Sequence, residues 1–253
     1  MPYPAHVSDA AYCYDGSYAG FLCCIFESYT RREIPSAVLG PTEGQITLFG
    51  TEAIATDPTH ARRVANGLTR LGPMVRARVM TGFLSTEEEK DLILLRFARR
   101  CFDEGPRAVQ MLGDPDVHAA FVLERNVNNE VCRFIEFIRF EEKDGMLGSV
   151  IHPKNNVLPL LRGHFCSRLP DEDFLIFDAA HGTALLRQSG HVQYLAMEHY
   201  EPARDADELN WQALWKRFFH ALTIEERHNA KAQMNHAPKR FWGGMVEMRE
   251  PYI

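Results

Sequence analysis

The sequence lacks the segments that would place a protein in or across a membrane. No apolar run approaches the ~20 residues that a membrane-spanning helix needs. The first 30 residues contain no basic segment followed by an apolar core, which is the pattern of a secretory signal. The six cysteines form no C-x-x-C pair, and most lie in apolar runs, which is typical of buried free thiols in a reducing compartment. We therefore predict a cytoplasmic protein without membrane contact.

The motifs of common cofactor sites are also absent. The sequence has no glycine-rich dinucleotide fingerprint and no phosphate-binding P-loop. It has no group of three closely spaced cysteines that would hold the iron–sulfur cluster of a radical-SAM enzyme. We predict no cofactor, and no residue is assigned to a metal site.

The composition is typical of a folded globular protein. The chain has 253 residues, of which 45% are hydrophobic and 25% charged. We interpret residues 1–253 as a single globular domain; the alternative is a helical part, 1–112, followed by a sheet-containing part, 113–253. The net charge of −6 argues against a protein that coats nucleic acid, but it leaves room for a local basic surface.

The clearest periodicity lies between residues 133 and 197. Apolar alternation and an Asp144-Gly145 turn predict a hairpin, and helical spacing follows it. The predicted elements are strands at 135–140 and 146–152, a helix at 157–168, and strands at 174–177, 183–187 and 191–197. The predicted fold class is α+β, with a mostly antiparallel sheet of about five strands (ββαβββ) covered by amphipathic helices from both chain ends.

The covering helices are predicted from apolar stripes that should face the core. One stripe near the N-terminus contains Tyr18, Phe21, Leu22, Ile25, Phe26 and Tyr29, and one near the C-terminus contains Trp211, Leu214, Trp215, Phe218 and Leu222. Short strands are predicted near 45–49 and 53–56, and a further helix is predicted to begin at Thr223 with Glu226.

A charge asymmetry marks residues 58–86, where acidic side chains are absent. Five arginines lie in this interval: Arg62, Arg63, Arg70, Arg76 and Arg78. The planar guanidinium matches phosphate oxygens, so nucleic-acid binding is one use for this surplus. The alternative is a solvated helix face whose arginines pair with the acidic run 87–89.

Two other segments offer aromatic rings that suit nucleic acid. Lys239, Arg240 and Trp242 combine positive charge with a ring in a short segment, which is typical of a surface that neutralises phosphate and stacks a base. Tyr14 is a second candidate for base stacking. The alternatives are that Phe241 and Trp242 pack the C-terminal segment onto the core, and that Tyr14 belongs to the core with the tyrosines of the following helix.

One group of polar residues suits catalysis. Asp178 follows a predicted central strand and precedes His181, while His164 and Arg168 lie one turn apart on the preceding helix. A carboxylate beside histidine acts as a general base or holds a metal, and His164 with Arg168 suits an anion. The structural alternatives are that Asp178 caps the following turn and that Arg168 pairs with Asp171, Glu172 or Asp178 and locks the helix to the sheet. Whether the protein is an enzyme stays open.

Three motifs in combination resemble a known family. They are Tyr14-Asp15-Gly16-Ser17-x-x-Gly20-Phe21, His164-Phe165-x-x-Arg168 followed by Phe174-x-Ile176-x-Asp178, and Pro238-Lys239-Arg240-Phe241-Trp242. From about residue 14 to 247 the chain is similar to a bacterial family of DNA-metabolism or DNA-repair proteins of unknown function. The resemblance implies an association with DNA repair and a radical-SAM DNA-repair protein as partner. A similar domain is fused to some uracil-DNA glycosylase-like proteins.

The sequence therefore leads to three functional hypotheses. The first is a DNA-binding accessory protein of a DNA repair or DNA modification system that acts with a radical-SAM enzyme. The second is an enzyme that acts on a damaged base or nucleotide through His164, Arg168 and Asp178. The third is a protein-only scaffold that recruits the radical-SAM partner without contacting DNA.

Overall fold

The computed structural model describes residues 6–41, 50–201, 206–224 and 229–248. By its internal contacts the chain divides into two compact units, Met1–Asn128 and Asn129–Ile253. The boundary falls inside the long helix Pro115–Phe137, and a single-domain organisation stays a prediction. None of the described helices is long and apolar enough to cross a membrane.

Helices and strands alternate in short runs along the described residues. The α-helices are α1 (Tyr18–Thr30), α2 (Pro58–Arg70), α3 (Pro73–Phe83), α4 (Lys90–Glu104), α5 (Pro115–Phe137), α6 (Leu158–Arg168), α7 (Ala206–Leu222) and α8 (Ala230–His236). The strands are β1 (His6–Val7), β2 (Ala11–Cys13), β3 (Glu33–Ile34), β4 (Ala37–Leu39), β5 (Thr51–Ala53), β6 (Glu141–Lys143), β7 (Met146–Ile151), β8 (Asp173–Asp178), β9 (Thr183–Gln188) and β10 (His191–Ala196). Short 3-10 helices cover Pro106–Gln110, Lys239–Gly244 and Val246–Met248.

The first unit is built around the apolar faces of α1 to α4. Phe21 and Ile25 of α1, Leu68 of α2 and Leu94 of α4 are fully buried in one cluster. The predicted N-terminal stripe therefore supplies a core face. A small parallel sheet in the order β4-β2-β5 belongs to the same unit. The strand predicted near 45–49 lies outside the described residues.

The second unit contains a five-stranded sheet in the order β10-β9-β8-β7-β6. The class is α+β as predicted, but the sheet is mixed rather than mostly antiparallel, because β7 and β8 pair in parallel. The reason is α6, which connects them: a helical crossover returns the chain to the same end of the sheet before the next strand begins. The other neighbouring strands are joined by short turns. Asp144 and Gly145 in one turn, and Ser189 and Gly190 in another, have positive φ angles.

The strand predicted at 135–140 is wrong, because α5 continues to Phe137 and the first strand of the sheet begins at Glu141. Val127, Val131, Phe134 and Ile138 are all buried at spacings of three or four residues, and this periodicity continues the burial pattern of the helix. The strand preference of isoleucine and phenylalanine depends on what the side chains pack against. Here they pack along the continuing apolar side of α5.

The burial predicted for the C-terminal stripe is also wrong. Trp211 of α7 is 69% exposed, and Leu214, Trp215, Phe218 and Leu222 are exposed as well. The helix contacts β6 and the 3-10 helix Val246–Met248. Periodicity shows that a helix has an apolar face, but not what that face contacts. The start of the next predicted helix, Thr223 with Glu226, falls partly outside the described residues.

Candidate nucleic-acid interface and neighbouring cavities

Three of the predicted arginines lie on the outer side of α2. The helix begins after Asp57, whose Oδ1 accepts hydrogen bonds from Thr59 N and His60 N at 2.6 and 3.1 Å. These bonds, led by the one from His60 N, lower the pKa of Asp57. Ala61, Val64 and Leu68 form the buried side of the helix. Arg62, Arg63 and Arg70 therefore lie on the other side of the helix, which faces solvent.

The arginine surface, as we call it, consists of Arg62, Arg63 and Arg70 of α2 and Arg76 of α3. All four side chains are exposed. Within the described residues, no carboxylate lies at ion-pairing distance from any of them. The predicted alternative, pairing with the acidic run 87–89, is therefore not observed, and these four charges remain available to an anion.

A cavity of about 520 Å³ opens beside this surface. Arg63 and Arg70 line it together with the rings of Phe26, Tyr29 and Phe102. The Arg63 guanidinium lies 5.7 Å from the centre of the Phe26 ring. Cationic and aromatic groups in one concave surface suit a ligand that has both a negative charge and a planar ring.

Arg78 does not belong to the arginine surface. It is 5% exposed, its Nε donates to Glu124 Oε2 at 2.8 Å, and its Nη1 donates to the Val109 carbonyl at 2.9 Å. Its guanidinium also lies 5.5 Å from the ring centre of Phe97 and 5.3 Å from that of Phe121. The predicted phosphate contact by Arg78 is thus not compatible with this structure, because the charge is neutralised inside the first unit.

Tyr14 is likewise part of the core. It is 7% exposed, and its hydroxyl donates to Oδ2 of the buried Asp91 at 2.8 Å. Burial, and then the Asp91 carboxylate, raise the pKa of Tyr14, so the phenol stays protonated and donates. The predicted base stacking is not compatible with this placement, and the alternative interpretation of Tyr14 is the one observed.

The opening motif of the family resemblance shapes the start of α1. Asp15 Oδ1 accepts from Ser17 N and Ser17 Oγ at 2.9 and 2.7 Å, and its Oδ2 accepts from Thr56 Oγ1 at 2.8 Å. The hydroxyl of Ser17 contributes most to lowering the pKa of Asp15. Ser17 Oγ in turn accepts from Gly20 N at 2.9 Å. A Cβ at Gly20 would lie 2.3 Å from Asp15 Oδ1, so this position requires glycine.

The closing motif anchors the C-terminal segment in the second unit. Phe241 is 6% exposed, and its ring centre lies 5.0 Å from that of Phe134 and 5.5 Å from that of Phe137. Trp242 is half-buried and its Nε1 donates to the Ala237 carbonyl at 2.8 Å. The predicted packing role of this aromatic pair is therefore observed.

The two basic residues of the same motif stay at the surface. The ammonium of Lys239 lies 5.7 Å from the Trp242 ring centre. The guanidinium carbon of Arg240 lies 4.8 Å from the Phe241 ring centre, and its Nη1 is 3.9 Å from Oε1 of the buried Glu130. Both cations are exposed, and their contact with phosphate stays a prediction.

Sequence reasoning missed a cavity of about 300 Å³ next to Arg240. Its lining combines residues of β7 with apolar and charged or polar side chains. The apolar ones include Phe134, Phe137, Ile138 and Phe241, and the charged or polar ones include Arg139, Glu141, His152 and Arg240. The residues come from segments around 138, 150 and 241, which no short motif connects. A search for local signatures therefore had no signal to find.

His164 and Arg168 line a different cavity, of about 530 Å³, together with Phe140 and Phe165. Arg168 is exposed, and no carboxylate in the described part of the chain pairs with it. The predicted lock between Arg168 and an acidic residue is therefore not observed. The two side chains lie together as predicted, but Asp178 is not among the described residues that line this cavity.

Asp178 is held in the turn that follows β8. It is 1% exposed, and its Oδ1 accepts from Ala180 N and His181 N at 3.0 and 3.1 Å. Its Oδ2 lies 2.7 Å from His181 Nδ1. The turn-capping alternative is observed, and no group of three potential ligands among the described residues is suited to a metal ion. Burial raises the pKa of Asp178, while the hydrogen bond from His181 opposes this shift.

This raised pKa predicts how stability depends on pH. The folded protein holds a proton on Asp178 at a pH where the unfolded chain, with a value near 3.8, has released it. The resulting stabilisation is complete at a pH below the pKa of Asp178 in the unfolded chain. It is lost as the pH rises through the pKa that Asp178 has in the folded protein. We expect the free energy of unfolding of the wild type, relative to Asp178→Asn, to decrease between acidic and neutral pH in urea titrations.

The exposed Asp171→Asn serves as the control for this titration and should follow the wild type at every pH. A wild type that gains stability over Asp178→Asn as the pH rises would contradict the assigned direction.

A family model matches residues 88–247, more than half of the chain, and describes a domain of unknown function, DUF4130. The chain belongs to the DUF4130 family. No curated protein and no solved structure shows significant similarity to it.

The DUF4130 match divides the candidate residues into two groups. His164, Arg168 and Asp178 lie within it, as does the closing motif with Lys239, Arg240 and Trp242. The arginine surface and Tyr14 precede it. The arginine surface therefore lies within the 87 residues that come before the DUF4130 match in this chain.

Proposed function

We propose that this DUF4130 protein binds DNA and serves as an accessory protein of a DNA repair or modification system. The proposal rests on one observation: Arg62, Arg63, Arg70 and Arg76 are exposed without carboxylate partners in the described residues. The resemblance described above supports DNA repair as the setting and a radical-SAM enzyme as the partner.

The arrangement of the arginines favours a phosphate backbone over a single small anion. Arg63 and Arg70 are separated by seven residues of α2, which corresponds to ~10 Å along the helix axis. They therefore contact different phosphates of one strand. In a chain with a net charge of −6, four neighbouring cations that pair with no carboxylate of the described residues would also draw the polyanion to this surface rather than to the rest of the protein.

The test is a titration of labelled single- and double-stranded DNA at several salt concentrations. Each phosphate contact contributes roughly 0.9 to the slope of log affinity against log salt for duplex DNA. We expect the variant R62A/R63A/R70A/R76A to bind roughly tenfold or more weakly and to lose most of that slope. Because the four side chains are exposed, its unfolding midpoint should stay close to that of the wild type.

Arg31→Ala provides a matched control in the same unit. Arg31 Nη1 already donates to Glu52 Oε2 at 2.9 Å, so its loss should change DNA affinity much less than the loss of an unpaired arginine. If the DNA affinity does not change with salt concentration, or if R62A/R63A/R70A/R76A binds DNA like the wild type, the arginine surface is not a DNA site. Co-purification with the radical-SAM enzyme in the absence of DNA would then favour the scaffold hypothesis.

We do not extend the proposal to catalysis. The enzyme hypothesis needs His164, Arg168 and Asp178 in one pocket, whereas Asp178 is engaged by His181 and the other two line a separate cavity. The described contacts give no common position for a substrate.

A further inference from the structure

The cavity beside the arginine surface has an aromatic ring between two cationic positions. Arg63, Gly67 and Arg70 follow one another at spacings of four and three residues, so they lie on one side of α2. Gly67 has no side chain, and a Cβ at this position would lie 2.7 Å from Cε1 of Phe102. The Phe102 ring therefore lies against the backbone of α2 between the two arginine positions, where it lines the cavity of about 520 Å³.

Tyr29 forms a second wall of the cavity, and contacts on several sides fix its ring. The guanidinium carbon of the buried Arg99 lies 4.1 Å from the centre of the Tyr29 ring. The Tyr29 hydroxyl lies 3.2 Å from Asp103 Oδ1 and 3.3 Å from the Arg99 carbonyl oxygen. Tyr29 is nevertheless 37% exposed. Because the buried cation holds one face of the ring, a planar ligand would stack on the other face, and little freedom is lost when the ring is already oriented.

Phe26 supports this wall but is less suited to stacking. The His60 ring already stacks on it, with ring centres 3.8 Å apart and an angle of 14° between the planes. The Arg63 guanidinium carbon lies 5.7 Å from the centre of the same ring. Of the three rings that line the cavity, Tyr29 is therefore the best candidate for contact with a ligand.

The composition of the lining indicates what the cavity would bind. Among the described residues that line it, the charged side chains are the two arginines, Arg63 and Arg70. Its volume lies within the range of about 300–1,000 Å³ that is usual for small-molecule sites. A nucleobase offers a flat face to an aromatic ring, and in a strand it lies between phosphates that attract cations. In a duplex each base is stacked and paired, so it would have to leave the stack before it could enter a cavity.

We propose that this cavity takes up one unpaired base of a DNA strand, which stacks on Tyr29 while the neighbouring phosphates contact Arg63 and Arg70. This inference rests on the proposed DNA binding and adds to it a preference for single-stranded DNA. Arg62 and Arg76 do not line the cavity, so they would contact phosphates of either form of DNA.

The experiment compares two single strands that have the same number of phosphates, one with bases and one with abasic sugars, by titration of the full chain. We expect the wild type to bind the strand with bases on the order of tenfold more tightly. The salt dependence should be equal for both strands, because the phosphate contacts are the same. Tyr29→Leu keeps an apolar side chain without the ring, so it should bind both strands as weakly as the wild type binds the abasic one. Its affinity for duplex DNA should not change.

Tyr194→Leu is the matched control, because it removes a tyrosine ring that is 43% exposed and does not line the cavity. It should keep the wild-type difference between the two strands. Deoxythymidine monophosphate should compete weakly, since it offers one phosphate. Competition as strong as that of the strand would assign the cavity to free nucleotides and overturn the inference.

The outcomes separate this inference from the DNA-binding proposal. If the wild type binds both strands equally and with salt dependence, the cavity takes up no base, but the arginine surface still binds DNA. If it binds none of these DNAs in a salt-dependent manner, both proposals are rejected. The comparison of the two strands uses the wild type, so it does not depend on how the variants fold.

Discussion

Replacing Arg78 by alanine is expected to lower the free energy of unfolding by about 3–5 kcal/mol, because the change leaves a partly buried charge and a buried carbonyl without their partner. In the wild type, the Arg78 guanidinium donates to Glu124 and to the Val109 carbonyl and fills the space between Phe97 and Phe121. Removal of the side chain also creates a cavity between these rings, which adds to the loss. Urea unfolding of the full chain measures the difference.

Arg76→Ala is the control for the Arg78 experiment, as it removes the same charge from an exposed position of the same helix. It should change the free energy of unfolding by less than about 0.5 kcal/mol. The double variant Arg78→Ala/Glu124→Ala should lose less free energy of unfolding than the two single variants together, because no unpaired carboxylate remains. Equal effects of Arg76→Ala and Arg78→Ala would contradict the buried pair.

A comparable loss is expected in the second unit when Glu130 is replaced by alanine. Glu130 is 3% exposed and its carboxylate accepts from Lys154 N, Asn155 N and Asn155 Nδ2 at 2.9, 2.8 and 2.7 Å. The substitution removes the acceptor of these three hydrogen bonds, and a buried donor that loses its acceptor costs about 1–3 kcal/mol. We expect a total loss of about 3–5 kcal/mol, measured by urea unfolding.

Glu136→Ala on the same helix separates this effect from a general loss of negative charge. Its carboxylate is 53% exposed and pairs with Arg133 at 3.2 Å, so we expect a change of less than about 1 kcal/mol. Glu130→Gln keeps one acceptor oxygen, so its loss of free energy of unfolding should lie between those of Glu130→Ala and Glu136→Ala. A Glu130→Ala variant as stable as Glu136→Ala would show that Glu130 does not hold the 154–155 turn.

The sequence predicts best those parts of the fold whose contacts are made between residues close together in the chain. The Asp144-Gly145 turn occurs where the sequence predicts it, and both residues have positive φ angles. The parallel pairing of β7 and β8 depends on where α6 packs. The end of α5 was missed because local strand preference and continued helical burial predict different structures for residues 135–137.

Counting charges along the sequence was enough to find the arginine-rich segment 58–86, but not to say which of its arginines are exposed. The acid-free segment contains five arginines, of which four are exposed. Arg78 lies two residues from Arg76 and therefore on nearly the opposite side of α3. Its partner Glu124 is 46 residues away, which sequence spacing does not reveal. The cavity beside Arg240 combines three distant segments, so only the folded chain brings it together.

The position of α4 has a consequence for any fragment that begins at the start of the DUF4130 match. Leu94, Leu95 and Phe97 of α4 are completely buried in the core of the first unit, yet the segment shared with the family starts at residue 88, just before that helix. A protein that contained only residues 88–247 would expose the apolar side of α4 to water. A chain cut at residue 88 would therefore need another apolar partner for this side of α4, because residues of α1 and α2 belong to the cluster that buries it.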